Sequence, residues 1–146
     1  MRPGRAWLAG AAGMSFVASA IHVACIFGGG DWYRFFGAGE QFAQMDERGS
    51  WVPAAVTALI AAILFIWGLY ALSGAGTVRA LPLLRTALVT ISAVLLLRAV
   101  QFLFPSTWGP ELGFSFMAVS SAIVGVFGLL FAIGTWRAWP NLKGAK

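Results

Sequence analysis

The chain is poor in the residues that soluble enzymes and metalloproteins depend on. Of its 146 residues, 10% are charged, whereas about 25% is usual in soluble proteins. It has one histidine, His22, and one cysteine, Cys25, so an internal disulfide framework is excluded. This His-x-x-Cys pair offers two metal ligands where a structural zinc site needs four. We therefore expect no metal centre, and the sequence identifies no catalytic residues.

Acidic residues are also scarce, and this bears on the choice of partner. The chain has five acidic residues and ten lysines and arginines, which gives a net charge of +5. The basic residues lie at the ends of apolar runs and not in a polar patch, so they indicate membrane topology. We expect the lipid bilayer, and not nucleic acid, to be the partner that this charge serves.

Apolar residues, by contrast, make up 60% of the chain, and the mean hydropathy is +0.82. A soluble fold of this length cannot bury so much apolar surface. We therefore predict an all-α membrane protein, a four-transmembrane-helix bundle in a single transmembrane domain covering residues 1–146. The predicted spans cover about residues 7–27, 52–72, 82–104 and 112–138, with Pro82 opening the third helix and a flexible turn at residues 73–76.

The first span has some features of a signal peptide. Arg2 and Arg5 precede its apolar run, and Ala18-Ser19-Ala20 resembles a cleavage site. The run nevertheless continues to Phe27, which is long enough to cross a bilayer. We expect it to be retained as a helix whose small and weakly polar stripe faces the bundle.

Residues 28–51, between the first two spans, differ from the rest of the chain. This segment reads GGGDWYRFFGAGEQFAQMDERGSW and contains four of the five acids and six aromatic residues. Trp32, Phe35 and Phe36 share one side of a short helix, and residues 40–47 predict a second. We expect an ordered, aromatic and acidic extracytoplasmic cap on the bundle, because so many aromatic side chains disfavour a free loop in water.

The distribution of positive charge predicts the orientation. Seven of the ten basic residues lie at the end of the bundle that carries both termini. They are Arg2, Arg5, Arg79, Arg85, Arg137, Lys143 and Lys146. We predict a multi-pass protein of the bacterial cytoplasmic (inner) membrane with both termini in the cytoplasm.

Arg98 is the most informative single residue, because it lies about six residues inside the outer end of the third span. A charge in the middle of a bilayer costs about 2.5–3.5 kcal/mol. Arg98 either extends to the interface, which is one interpretation, or turns inward and pairs with an acid. Glu40 is the first candidate partner because it follows a Gly-Ala-Gly bend, and Glu111 is the alternative.

His22 lies at a depth that matches Arg98, so the two predict a polar pocket near the outer leaflet. Seven residues are candidate ligand-binding residues: His22, Tyr33, Arg34, Glu40, Thr57, Arg98 and Gln101. An amphiphile with an anionic or carbonyl head, such as a quinone or lipid, would place its head at Arg98. The alternatives are a structural hydrogen bond for His22 and an aromatic-belt role for Tyr33 and Arg34.

Three segments, WYRFFGAGEQ, GLYALSGAG and LPLLR, resemble a group of small bacterial four-span membrane proteins of uncharacterised function. In helix count, size and long first outer loop, the chain is also similar to DoxX-like proteins. That resemblance implies quinone-coupled oxidation, and hence a quinone or another lipophilic ligand, but no residue-level catalytic motif.

Two other functions remain open from the sequence. The chain is an accessory subunit if its small-residue stripes pack against a membrane partner. It is a channel or transporter if it forms a homo-oligomer, because four short spans with few polar residues cannot line a pore alone.

Overall fold

The four long apolar runs form four long helices, and the cap forms two short ones. A computed structural model describes residues 2–104, 106 and 112–142. The helices are α1 Arg5–Gly28, α2 Gly30–Phe35, α3 Glu40–Glu47, α4 Val52–Gly74, α5 Leu84–Val100 and α6 Phe114–Ala138. A 3₁₀ turn, Gln101–Leu103, extends α5, and another, Trp139–Asn141, extends α6.

Helices α1, α4, α5 and α6 are each long and apolar enough to cross a membrane. The predicted all-α fold with four spans is therefore confirmed, and the chain is a multi-pass membrane protein. The connection between α4 and α5 differs from the prediction. Helix α4 continues through Gly74. Pro82 lies before α5 and does not open it, because Leu83 adopts a left-handed conformation with φ of 53°. The buried Ser73 hydroxyl orders this connection by donating to the Arg79 carbonyl.

The bundle consists of two closely packed helix pairs, α1 with α4 and α5 with α6. Small residues allow this approach, as the sequence predicted for α1, where Ala11, Ser15 and Ser19 are buried. Gly68 of α4 lies directly against the Phe16 ring. Ser19 also donates to the Ala61 carbonyl of α4 at 2.8 Å, which fixes one pair at the middle of the bundle.

The two pairs meet most tightly at the end of the bundle where α1 begins and α6 ends. Leu8 is fully buried there. A Cβ atom on Gly134 of α6 would lie 2.8 Å from Leu8 Cγ, and one on Gly74 of α4 would lie 2.9 Å from Leu8 Cδ1. Only glycine permits such approaches. Toward the opposite end, the space between the pairs contains cavities.

The cap packs on that opposite end. Tyr33 of α2 and Ala43 of α3 are buried together with Cys25 of α1. Gly37, with φ of 77°, turns the chain between the two short helices and lies against the Phe116 ring of α6. The cap is therefore ordered and partly helical, as its aromatic content predicted. It covers the end of the bundle from α1 to α6.

Candidate ligand-binding site

A cavity of about 490 Å³ lies beneath the cap, between α1, α4 and α5. Its walls include four of the seven predicted ligand-binding residues: His22, Tyr33, Thr57 and Arg98. The remaining lining residues are Ile21, Cys25, Phe36, Gly37, Ala38, Phe42, Val56 and Ile60. Residues from three helices and the cap therefore converge on one chamber.

Tyr33 forms part of the roof of this cavity. It is only 2% exposed, and its ring meets the edge of Phe42 at 6.3 Å. Its hydroxyl oxygen is buried and has no hydrogen-bond partner among the described residues. Leaving a buried hydroxyl unpaired costs about 1–3 kcal/mol. An acceptor that enters the cavity would recover that cost.

Arg98, in the last turn of α5, turns toward the bundle and lines the cavity wall. Its Nη2 atom donates a long hydrogen bond of 3.5 Å to the Ser120 hydroxyl of α6. Its Nη1 atom is buried and has no partner in the part of the chain that the structure describes. Arg98 is therefore the second residue lining the cavity, after Tyr33, that has an unsatisfied donor, and its guanidinium is positively charged.

The predicted pair between Arg98 and Glu40 is wrong, because Glu40 pairs with Arg34 instead. Arg34 Nε lies 2.7 Å from Glu40 Oε2, and Arg34 Nη2 lies 2.9 Å from Glu40 Oε1. Arg34 also contacts Glu47 at 2.6 Å and Asp31 at 3.4 Å. The turn at Gly37 brings α3 back alongside α2, so these acids meet Arg34 on the exposed side of the cap. The alternative partner of Arg98, Glu111, lies outside the described residues.

Arg34 and its carboxylates form the Arg34 cluster, which joins α2 to α3. The guanidinium lowers the pKa of Glu40 from 4.5 to about 2, chiefly through the hydrogen bonds that Arg34 donates. It also lowers the pKa of Glu47, while both glutamates raise the pKa of Arg34. Arg34 and Glu40 thus have a role in the cap itself, and neither lines the cavity below it.

Substituting Arg34 with glutamine is expected to loosen the cap. The change leaves three neighbouring carboxylates without their shared cation, so they repel one another. Hydrogen exchange in residues 29–48 should become faster, while exchange in α1 and α4 stays the same. In the parent protein, the pair stabilises the cap above pH 4.5, the ordinary pKa of Glu40. This stabilisation is lost as the pH falls from there toward 2.

A matched control for this prediction is Arg48→Gln, because Arg48 is exposed at the end of α3 and has a single 3.5 Å hydrogen bond to Gln44. It removes the same charge from the same segment. Equal exchange rates in the two variants would show that the Arg34 cluster does not hold the cap.

His22, on α1, adds a hydrogen-bond acceptor to the site. Its Nδ1 atom lies 2.7 Å from the Ala18 carbonyl oxygen. A carbonyl can only accept, so Nδ1 carries the hydrogen, and Nε2 of the neutral ring has a free lone pair. The structural hydrogen bond considered for His22 is therefore present, and the same bond orients the ring for a ligand.

The last of the predicted residues, Gln101, lies in the 3₁₀ turn after α5, where it is half-buried. It is not among the side chains that line the cavity. The sequence predicted it from its spacing of three residues after Arg98, but α5 ends at Val100. The tighter turn changes the direction in which the Gln101 side chain leaves the backbone.

A second cavity, of about 620 Å³, continues from the first along the centre of the bundle. The two cavities share Ile21, His22 and Arg98. The second one extends along α1 from Gly10 to His22, which is about 18 Å at 1.5 Å per residue. Apart from His22 and Arg98, its walls are apolar or glycine, and Trp67 is the largest side chain among them. We call it the apolar groove.

Apart from Tyr33, the residues of the roof were not predicted from the sequence. Phe36, Gly37, Ala38 and Phe42 lie in the cap and cover the cavity. The Gly-Ala-Gly bend signalled that the cap folds back, but it gave no indication of which side chains face inward.

Together, the two cavities form a site with a polar chamber and an apolar extension. Tyr33 and Arg98 offer donors, and His22 offers an acceptor. Comparisons with protein-family models, with curated proteins and with solved structures found no match to this chain. Its function is therefore argued from this geometry.

Proposed function

We propose that this membrane protein binds a single-chain amphiphile, with the head in the cavity beneath the cap and the tail in the apolar groove. One observation carries the proposal: two buried donors, Tyr33 Oη and Arg98 Nη1, have no partner among the described residues where a polar chamber meets the apolar groove. Buried polar groups are nearly always paired. Unpaired donors beside a cavity are therefore a strong indication of a ligand.

The head of this amphiphile carries an oxygen that accepts hydrogen bonds. Tyr33 and Arg98 donate to that oxygen. Quinones and fatty acids both have such heads. The resemblance to DoxX-like proteins favours a quinone, and the two cavities have the volumes of ordinary ligand sites, about 300–1,000 Å³.

The ligand enters sideways from the bilayer in this proposal. Ile21 of α1 and Val56 and Ile60 of α4 line the cavity and are each more than a third exposed. They form an apolar rim on helices that cross the membrane. A lipophilic molecule reaches the cavity through this rim without passing through water.

The cap lies on the outer side of the cytoplasmic membrane in this proposal. Five of the described basic residues lie at the other end of the bundle: Arg2, Arg5, Arg79, Arg85 and Arg137. Positive charge favours the cytoplasmic side. The head of the ligand is then at the depth of the outer leaflet, and its tail points toward the bilayer centre.

The binding experiment uses the quenching of tryptophan fluorescence in phosphatidylcholine nanodiscs. The two ligands tested are decylubiquinone and a stearic acid with a nitroxide on its chain. Each protein keeps Trp67 in the apolar groove as its one tryptophan, with the other six replaced by phenylalanine, so that Trp67 reports the tails. We expect saturable quenching by at least one of them. The variant Gly13→Leu should weaken it at least tenfold, because Gly13 lines the apolar groove and a Cβ there has open space to occupy.

The control variant is Ala20→Leu, which adds bulk to an exposed residue of the same helix that does not line the apolar groove. It should bind like the parent protein. Quenching that does not saturate with either compound, or equal binding by the two variants, would exclude the apolar groove as a ligand site.

A further inference from the structure

We infer that the head bound in this site is an anion, the carboxylate of a long-chain fatty acid, and not a neutral carbonyl. This inference rests on the proposed function and makes it specific. It starts from Arg98, whose guanidinium keeps its positive charge in proteins. Arg98 lines both cavities, and its Nη1 atom is buried without a partner among the described residues.

The cap provides no counter-charge for Arg98. The salt bridges between described residues all belong to Arg34, which binds Asp31, Glu40 and Glu47 on the exposed side of the cap. The one hydrogen bond shown for Arg98 is to the neutral Ser120 hydroxyl. Within the described chain, the positive charge beside the cavity is therefore not compensated.

A neutral head and an anionic head differ in what they supply to this charge. A quinone carbonyl accepts hydrogen bonds from Arg98 and Tyr33 but leaves the charge uncompensated. A carboxylate accepts the same bonds with two oxygens and neutralises the charge as well. The opposite charges of Arg98 and a carboxylate also attract each other, and the low dielectric of the membrane interior strengthens that attraction.

The roof of the cavity favours a head that ends at Arg98. Tyr33, Phe36 and Phe42 lie above the chamber. A carboxylate is the last group of a fatty acid, so nothing has to continue past the roof. In a phospholipid such as phosphatidylglycerol, by contrast, the head alcohol continues beyond the phosphate and would have to pass the roof.

The length of the apolar groove agrees with a long tail. Its roughly 18 Å along α1 compares with the ~15 Å that the chains of one leaflet fill, half of a hydrocarbon core of about 30 Å. Gly10 and Gly13 lie on the α1 wall at the end of the groove that is farthest from the cap. Their lack of side chains keeps this part of the groove wide enough for an alkyl chain.

The experiment compares nitroxide-labelled stearate with its methyl ester in nanodiscs of phosphatidylcholine, at an alkaline pH where stearate is ionised. The two compounds share the tail and differ in the charge of the head. We expect the acid to bind at least tenfold more tightly than the ester or decylubiquinone. In Arg98→Met, the acid and the ester should bind alike, while Arg98→Lys should retain part of the preference because it retains the charge.

Each other result has a definite meaning. Equal or tighter binding of the ester or of decylubiquinone would overturn the inference and leave the proposed function standing. No saturable binding of any of the three compounds would overturn both. Displacement of stearate by phosphatidylglycerol at equal concentration would overturn the fatty acid assignment, since the anion would then be a phospholipid head.

Discussion

Replacing Arg98 with methionine is expected to make the ligand-free protein more stable and to reduce its stabilisation by stearate. Arg98 holds a positive charge whose Nη1 atom is buried without a partner among the described residues. A charge at the bilayer centre costs about 2.5–3.5 kcal/mol. Because Arg98 lies in the last turn of α5, closer to the interface, we expect a gain of about 1–3 kcal/mol on its removal.

Methionine is the suitable replacement because its unbranched side chain retains most of the apolar stem of arginine. The measurement is the melting temperature in detergent, with and without stearate. A gain of 1 kcal/mol raises the melting temperature of a protein of this size by about 2–4 °C. The parent protein should gain about 2.7 kcal/mol at a stearate concentration one hundred times its Kd. The variant, which binds stearate at least tenfold more weakly, should gain about 1.4 kcal/mol or less at that concentration.

The neighbouring substitution Leu97→Met is the control, since Leu97 is 69% exposed and lines neither cavity. It should change neither the melting temperature nor the response to stearate. A less stable Arg98→Met protein would mean that Arg98 contributes to the folding of the bundle through a partner. The site would then lack the uncompensated charge on which ligand selection depends.

Much of the fold could be predicted from the sequence, because membrane spans depend on the length of apolar runs. The hydrocarbon core requires about 20 apolar residues per helix, and the runs differ from the observed spans by at most three residues at an end. Prediction failed at Pro82, where the helix begins two residues later. The hydroxyl of Ser73 is eight residues from Leu81 and accepts its N–H, a contact that local sequence patterns do not reveal.

The candidate site could be predicted in part. His22 and Arg98 were assigned to one pocket because equal distance from the ends of parallel spans means equal depth, and they do line the same cavities. The partner of Glu40 could not be predicted this way. The depth of a residue in the membrane does not indicate which side of the cap its carboxylate faces. Glu40 meets Arg34, six residues earlier, through a turn whose direction depends on packing at Gly37.

Tyr33 provides the second large effect, because its ring and its hydroxyl have different roles. The ring is buried between α1 and α3 and holds the cap on the bundle. The hydroxyl has no partner within the described residues, and Tyr33 lines the cavity beneath the cap. Tyr33→Ala should therefore destabilise the protein by about 3–5 kcal/mol, the usual cost of removing a buried aromatic ring.

Tyr33→Phe is expected to have the opposite effect on the ligand-free protein. It keeps the ring and removes the unpaired hydroxyl, so the melting temperature should stay the same or rise, within the roughly 1–3 kcal/mol that an unpaired buried hydroxyl costs. The binding of stearate should weaken about tenfold, because a donor to the head is lost and 1.4 kcal/mol corresponds to a factor of ten.

The two Tyr33 variants are measured together by thermal unfolding and by nitroxide quenching in nanodiscs. The alanine variant tests whether the cap depends on the ring, and the phenylalanine variant tests whether the hydroxyl serves a ligand. If Tyr33→Phe is less stable than the parent and binds stearate equally well, the hydroxyl has a structural partner. In that case Arg98 alone would select the head, and the cap would act only as a cover.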